Sequence, residues 1–160
     1  HSRELTVFTN PLPNSYQRFG CDEAPRYVSW SRQNRSQLVR IPQVKGNNCR
    51  MELRTLTLPA TPIWPWLVLA AGLDGIEHRM VLQAPINKNL FDPTEAAVLG
   101  WKDASTLEEA VQAAQESEFL RRVLPEELSH RYYEETEALA ALKAAADPAE
   151  YERVHYFNAI

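Results

Sequence analysis

The sequence predicts an α+β fold, with short strands confined to about the first sixty residues and helices over most of the rest. Three observations carry this. Residues 27–31 (Tyr-Val-Ser-Trp-Ser) and 38–41 alternate or cluster aromatic, β-branched and polar side chains over strand-like lengths. The runs 33–42 and 49–54 flank a loop at 44–48, where Gly46-Asn47-Asn48 supplies turn chemistry. Beyond Pro65, helix-start chemistry recurs every few tens of residues.

In chain order, residues 1–8 are expected to finish a helix, and the absence of an initiator Met suggests a piece of a longer polypeptide. Pro11, Pro13 and Gly20 rule out a long element over 10–25. Residues 65–76 form the next predicted helix. A start at Pro62 would place Pro65 where it removes an N–H bond and clashes with an earlier carbonyl, at ~3 kcal/mol, whereas Pro65 in the first turn costs nothing. Trp64 and Trp66, in apolar surroundings, are read as core packers. Residues 77–93 form a connection. Ser105-Thr106-Leu107-Glu108 reads as a capping box opening a helix at Thr106. Pro125 with Glu126 and Glu127 starts a long helix to about Ala146, buried along Leu128, Tyr132, Leu139 and Leu142. Asp147 caps a final helix that begins at Pro148. The chain thus divides into a strand-and-loop part, 1–60, and a mainly helical part, 61–160.

With 160 residues, 44% hydrophobic and 24% charged, the chain is long enough for one domain with a real core. No apolar run approaches the ~20 residues of a membrane span, and no signal-peptide pattern opens the chain. Two cysteines, Cys21 and Cys49, make no disulfide framework, so a cytoplasmic setting is expected. Charge is uneven. Residues 1–90 carry 11 basic and 6 acidic groups, residues 91–160 carry 6 and 15. A basic half suits an anionic substrate or nucleic acid. The arginines are not interleaved with aromatics and no nucleic-acid-binding signature occurs, so no nucleic-acid partner is expected.

The basic groups concentrate between Arg32 and Arg54, where Arg32, Arg35, Arg40, Lys45, Arg50 and Arg54 surround a single acid, Glu52. Alternation along a strand puts Arg50, Glu52 and Arg54 on one face. Two readings follow. One is a solvated basic edge with a surface ion pair. The other is an anion pocket for a metal-bound phosphate, in which guanidinium forks meet phosphate oxygens and Glu52 gives a hard ligand to the cation.

Several motifs, in order and at close to constant spacing, favour the second reading. Asn10-Pro11, Asn14-Ser15-Tyr16-Gln17-Arg18, Glu23-Ala24-Pro25, Asn34-Arg35-Ser36, Arg40-Ile41-Pro42, Arg50-Met51-Glu52-Leu53-Arg54, residues 70–76 (Ala-Ala-Gly-Leu-Asp-Gly-Ile) and Asn87-Lys88-Asn89-Leu90 together resemble the C-terminal half of glutamine synthetase. The resemblance implies an antiparallel sheet segment of that family's catalytic domain followed by a helical C-terminal subdomain. It implies ligation of ammonia to glutamate through γ-glutamyl phosphate, with ATP as substrate and Mg2+ or Mn2+ as cofactor. Arg18 would bind the glutamate carboxylate, and Glu23 would sit on a flap and take a proton from ammonium. Arg35 and Arg40 would contact the transferring and nucleotide phosphates, and Arg50 would bind ATP. Glu52 would ligate a divalent cation, and Arg54 would hold the reacting γ-carboxyl or its phosphate. A homo-oligomer with sites at subunit interfaces is implied, and no membrane partner.

Residues 55–66 depart from the family pattern, which continues with a Pro-Asp turn and an Asn-Pro-Tyr helix start; here the Asp, Asn and Tyr are missing. Where some bacterial members carry a regulatory tyrosine, this chain has Phe91, which offers no hydroxyl for adenylylation. Upstream ligands of the family site lie outside the chain, so the 160 residues alone are expected not to make glutamine. A ligase for another amine and a non-catalytic homologue are the alternatives.

Overall fold

The computed structural model describes residues 1–21, 24–43, 46–47, 49–54, 62–92, 94 and 104–157. Helix α1 spans Ser2–Thr9 and is followed by a 3-10 turn at Pro13–Arg18. Strands β1 (Trp30–Arg32), β2 (Val39–Ile41) and β3 (Glu52–Leu53) come next. Helices α2 (Trp64–Glu77), α3 (Leu107–Glu116), α4 (Glu118–Val123), α5 (Glu126–Ala145) and α6 (Pro148–Glu152) complete the order, with a π turn at Arg153–Phe157. The α+β class expected from the sequence is what is observed.

Within the sheet, ordered β1-β2-β3, β2 and β3 are antiparallel, with Val39 opposite Leu53 and Arg40 opposite Glu52. β1, however, runs parallel to β2, pairing Trp30 with Val39, Ser31 with Arg40 and Arg32 with Ile41. A parallel pair ordinarily needs a long crossover. Here the connection is a tight polar loop that begins with Gln33 at φ 63°, so the chain folds back beside its own start. The strands are also shorter than the sequence suggests. Tyr27 contributes only an isolated bridge and Leu38 precedes β2.

The helical core is built by α1, α3, α4, α5 and one side of α2. Val7, Phe8, Leu67, Leu107, Ala110, Val111, Leu120 and Tyr133 are buried together. Phe8 stacks on Tyr132 with ring centroids 4.8 Å apart, and the Tyr132 hydroxyl donates to the Val7 carbonyl at 2.8 Å. Asp74 of α2 ties three helices. It accepts from His1 Nε2 at 2.9 Å and from Arg122 NH2 at 2.6 Å, while the His1 ring stacks on Phe119.

Helix ends follow local chemistry. Asp147 Oδ1 accepts from the Ala149 and Glu150 N–H groups, as its position before Pro148 implies. The capping box is shifted by one residue from the expected register. Thr106 Oγ1 accepts from Glu109 N–H at 3.2 Å, and Glu109 rather than Glu108 reaches back, to Ser105 N–H at 2.8 Å. α2 begins at Trp64 with Pro65 in its first turn. It closes with paired bonds from Met80 N–H to Gly75 O and from Arg79 N–H to Ile76 O, which require Arg79 at φ 50°.

Two packing expectations are corrected. Trp66 is 49% exposed and Trp64 only partly buried, because α2 turns Leu67, Ala70 and Ala71 to the core and its opposite side outward. That outward side carries Trp66, Leu69, Leu73 and Ile76 in three- and four-residue steps, all exposed. On α5 the buried residues are Tyr133, Thr136 and Ala140, with Tyr132 partly covered. Leu128 and Leu142 are exposed, because α1 and α3 meet the helix on the Tyr133 side.

Candidate functional site

The antiparallel register of β2 and β3 sets Arg40 directly across from Glu52. In such a pair the opposed side chains share a face and lie within reach of one another. Arg40 NH1 donates to Glu52 Oε2 at 2.7 Å, and Arg40 Nε donates to the Gln33 carbonyl at 3.3 Å. The carboxyl group of Glu52 is held below the usual carboxylate range. The Arg40 hydrogen bond is the main cause, opposed by partial desolvation and reinforced by the charges of Arg40, Arg50 and Arg54. The side chains of Arg40 and Glu52 are 19% and 33% exposed, so the pair is reachable from solvent.

The sequence places Arg50 and Arg54 as the flanking partners of Glu52. The structure makes Arg40, from the neighbouring strand, its direct ion-pair partner. Arg50 is exposed and Arg54 half-buried, and both influence Glu52 electrostatically. Arg54 is fixed through its backbone, whose N–H donates to the Leu38 carbonyl at 2.9 Å. Arg35 is exposed in the loop between β1 and β2. Arg18 is exposed at the end of the 3-10 turn, and among the described residues no hydrogen bond or ion pair links it to the strands. Glu23 and residues 55–61 lie outside the described residues.

Sequence reasoning assigned no role to the polar residues around Arg35. Asn34, Ser36 and Gln37 all hydrogen-bond across to residues 88–90, and Ser36 and Gln37 are buried. The available signal was the uninterrupted polar run 33–37, too polar for a strand and with no glycine for a simple turn.

Glu52 presents one carboxylate, with Oε2 engaged by Arg40. Among the described residues no group of three or more His, Cys, Asp or Glu side chains is placed to hold a metal ion. These residues therefore fit a single contact to a divalent cation and do not make a complete metal site. Two clefts of about 320 and 340 Å³ border α3 and α5, and neither includes any of these arginines.

Comparison with known proteins identifies the family. The family model described as glutamine synthetase, catalytic domain, matches residues 1–154. Glutamine synthetase of Methanosarcina mazei is 39% identical over 137 residues, covering 82% of this chain and 31% of the relative. Glutamine synthetase of Staphylococcus aureus (strain MW2) is 35% identical over the same shares. A solved structure named "GmaS/ADP complex-Conformation 1" superposes with a TM-score of 0.78 at 27% identity, covering 99% of this chain and 37% of that one. "Apo GmaS without ligand" gives 0.77 at 28% identity, covering 98% and 35%. The chain spans about a third of the length of these relatives. With a family match over nearly the whole chain and an arginine-flanked Glu52 on adjacent strands, the protein belongs to the glutamine synthetase catalytic-domain family.

Proposed function

We propose that this chain supplies the phosphate-facing part of an ATP-dependent ligase that joins ammonia to glutamate. The observation that carries the reading is the Arg40–Glu52 pair with Arg50 and Arg54 acting on the same carboxylate. In that reaction the γ-carboxylate of glutamate attacks the terminal phosphorus of ATP and ADP leaves. Ammonia, after ammonium gives its proton to a carboxylate, then displaces phosphate from the acyl phosphate. Phosphoryl transfer of this kind depends on positioning and on neutralising charge spread over the phosphate oxygens. Arg35, Arg40 and Arg50 would face those oxygens. Arg54 would hold the γ-carboxyl and Arg18 the α-carboxylate. Glu23 would be the proton acceptor.

Glu52, kept ionised by its guanidinium neighbours, would give a divalent cation one of its ligands, the rest coming from polypeptide beyond these residues. Such a cation, Mg2+ or Mn2+, would add positive charge beside the phosphates. In a polypeptide of its relatives' length the site would be completed by other segments and by neighbouring subunits of an oligomer.

Two measurements test the reading. The 160-residue chain should bind Mg–ADP, and Arg40→Gln should weaken that binding at least tenfold; an unaffected affinity contradicts the assignment. Incubated alone with ATP, glutamate and ammonia, the chain should release no phosphate above background, and measurable turnover would refute the need for other segments. A related ligase acting on another amine is the second reading, because most of the amine pocket lies outside these residues, and the departing run at 55–66 favours a third, a non-catalytic homologue. A panel of primary amines with the intact enzyme separates the two ligases, and no turnover with any amine would leave a non-catalytic homologue.

A further inference from the structure

We infer that Asn34 and Gln37 are positioning residues for Arg35, acting through a strap at residues 86–90 that is coupled to the occupancy of the phosphate site. The inference rests on the nucleotide-phosphate reading of Arg35 and adds a mechanism that the family resemblance does not state.

The geometry points to a hub at one backbone atom. The Lys88 carbonyl receives Asn34 Nδ2 at 2.7 Å and Gln37 Nε2 at 3.1 Å, with Ser36 Oγ 3.2 Å away. Leu90 N–H donates back to Ser36 Oγ at 3.0 Å. Asn34 works in both directions, since its Oδ1 accepts from Ser36 N–H and Ser36 Oγ, each at 2.9 Å, and closes the turn around Arg35. Farther along, Ile86 N–H donates to the Trp30 carbonyl at 2.9 Å, and the Trp30 indole donates to the Gln83 carbonyl at 2.7 Å. The strap therefore runs along β1 on the side away from β2.

Burial shows where the constraint falls. Ser36 and Gln37 are 2% and 0% exposed, and Leu90 is 5% exposed, whereas Arg35 between Asn34 and Ser36 is exposed. The backbone on either side of Arg35 is thus held by hydrogen bonds while Arg35 itself stays exposed. Gln33, just before, sits at φ 63°, a conformation unfavourable for a residue with a Cβ and retained where surrounding contacts dictate it. All the clamp donors are neutral, so neither pH near neutrality nor salt disengages them. Detaching the strap would free the turn and let Arg35 sample orientations that do not meet a phosphate. By linkage, an anion on Arg35 must tighten the strap as much as the strap favours the anion.

The test uses the 160-residue chain, Mg–ADP as probe, calorimetry for affinity and NMR hydrogen exchange at the Ile86 and Leu90 amides for strap attachment. Asn34→Ser leaves the local charge unchanged and supplies a hydroxyl oxygen in place of the amide oxygen that accepts in the turn, but cannot reach Lys88. It should speed exchange at both amides and weaken Mg–ADP binding by about three- to tenfold. Arg35→Ala should weaken binding without altering exchange, and Asn34→Ser added to Arg35→Ala should cost less than twofold more. In the unaltered chain, saturating Mg–ADP should slow exchange at Leu90, a measurement that needs no variant. Faster exchange in Asn34→Ser with unchanged affinity, a full additional loss on the Arg35→Ala background, or no slowing by Mg–ADP would each overturn the inference while leaving the nucleotide site intact. Failure of the unaltered chain to bind Mg–ADP would bring down the site reading and the inference with it.

Discussion

Tyr132→Phe is the sharpest test of how the helical core is held. Pro11 has no N–H, so the Val7 carbonyl near the end of α1 has no helical donor four residues on. The Tyr132 hydroxyl takes that place at 2.8 Å, and Val7 itself is fully buried. Phenylalanine keeps the stack on Phe8 and leaves no cavity, so the loss isolates the hydrogen bond and the orphaned carbonyl. A buried acceptor left unpaired costs about 1–3 kcal/mol. At ~2 kcal/mol, a chain of this size should lose about 4–8 °C in Tm. Urea unfolding should show a lower midpoint with an unchanged slope.

The pH dependence gives a second signature of the same group. Burial raises the Tyr132 phenol far above its ordinary 10.0, so the folded state holds that proton more tightly than the unfolded state. Stability from this group is complete below pH ~10 and is lost as pH rises toward the folded value. Tyr132→Phe should therefore flatten the alkaline decline, leaving the part owed to Tyr133 and Tyr156, each pushed up to about 12 chiefly by burial. A midpoint shift worth under ~0.3 kcal/mol, or an unchanged alkaline slope, would refute the account.

Other expectations concern the site and the packing around it. Arg40→Gln should move the Glu52 carboxyl upward toward 4.5, read by side-chain NMR titration, because the hydrogen bond that chiefly lowers it is gone. The Glu52 contribution to stability is present above the unfolded value and fades as pH falls through the lowered folded one, so that acid-side slope should also shrink in the variant. Asp74→Asn should cost about 1–2 kcal/mol in urea titration, since Asp74 joins α2 to His1 and Arg122, the latter half-exposed and so discounted for solvent screening. Leu67→Ala should cost about 2–5 kcal/mol, whereas Leu73→Lys on the outward side of the same helix should change the stability of the 160-residue chain by less than ~0.5 kcal/mol. Equal losses at both positions would mean that α2 is covered on both sides.

Helix starts were legible because capping is local. Asp147 before Pro148, Thr106 before Leu107 and Pro65 within a first turn each act on backbone groups two or three residues away. The one-residue slip of the capping box shows the limit, since Ser105 and Thr106 are both suitable caps and Thr106 is the one used. The arginine-rich motif around Glu52 was equally legible, as was the alternation that gathers its charges. Which guanidinium would grip Glu52 depended instead on strand register across a connection whose length the residues do not encode. Arg40 won because it stands opposite. The parallel course of β1 likewise comes from pairing with β2 only nine residues on, and the strap on Lys88 from contacts between segments some fifty residues apart, with a backbone carbonyl at their centre. Side-chain identity can announce chemistry and local geometry; a partner that is any residue's main chain leaves no mark in sequence and is decided only when the chain has folded.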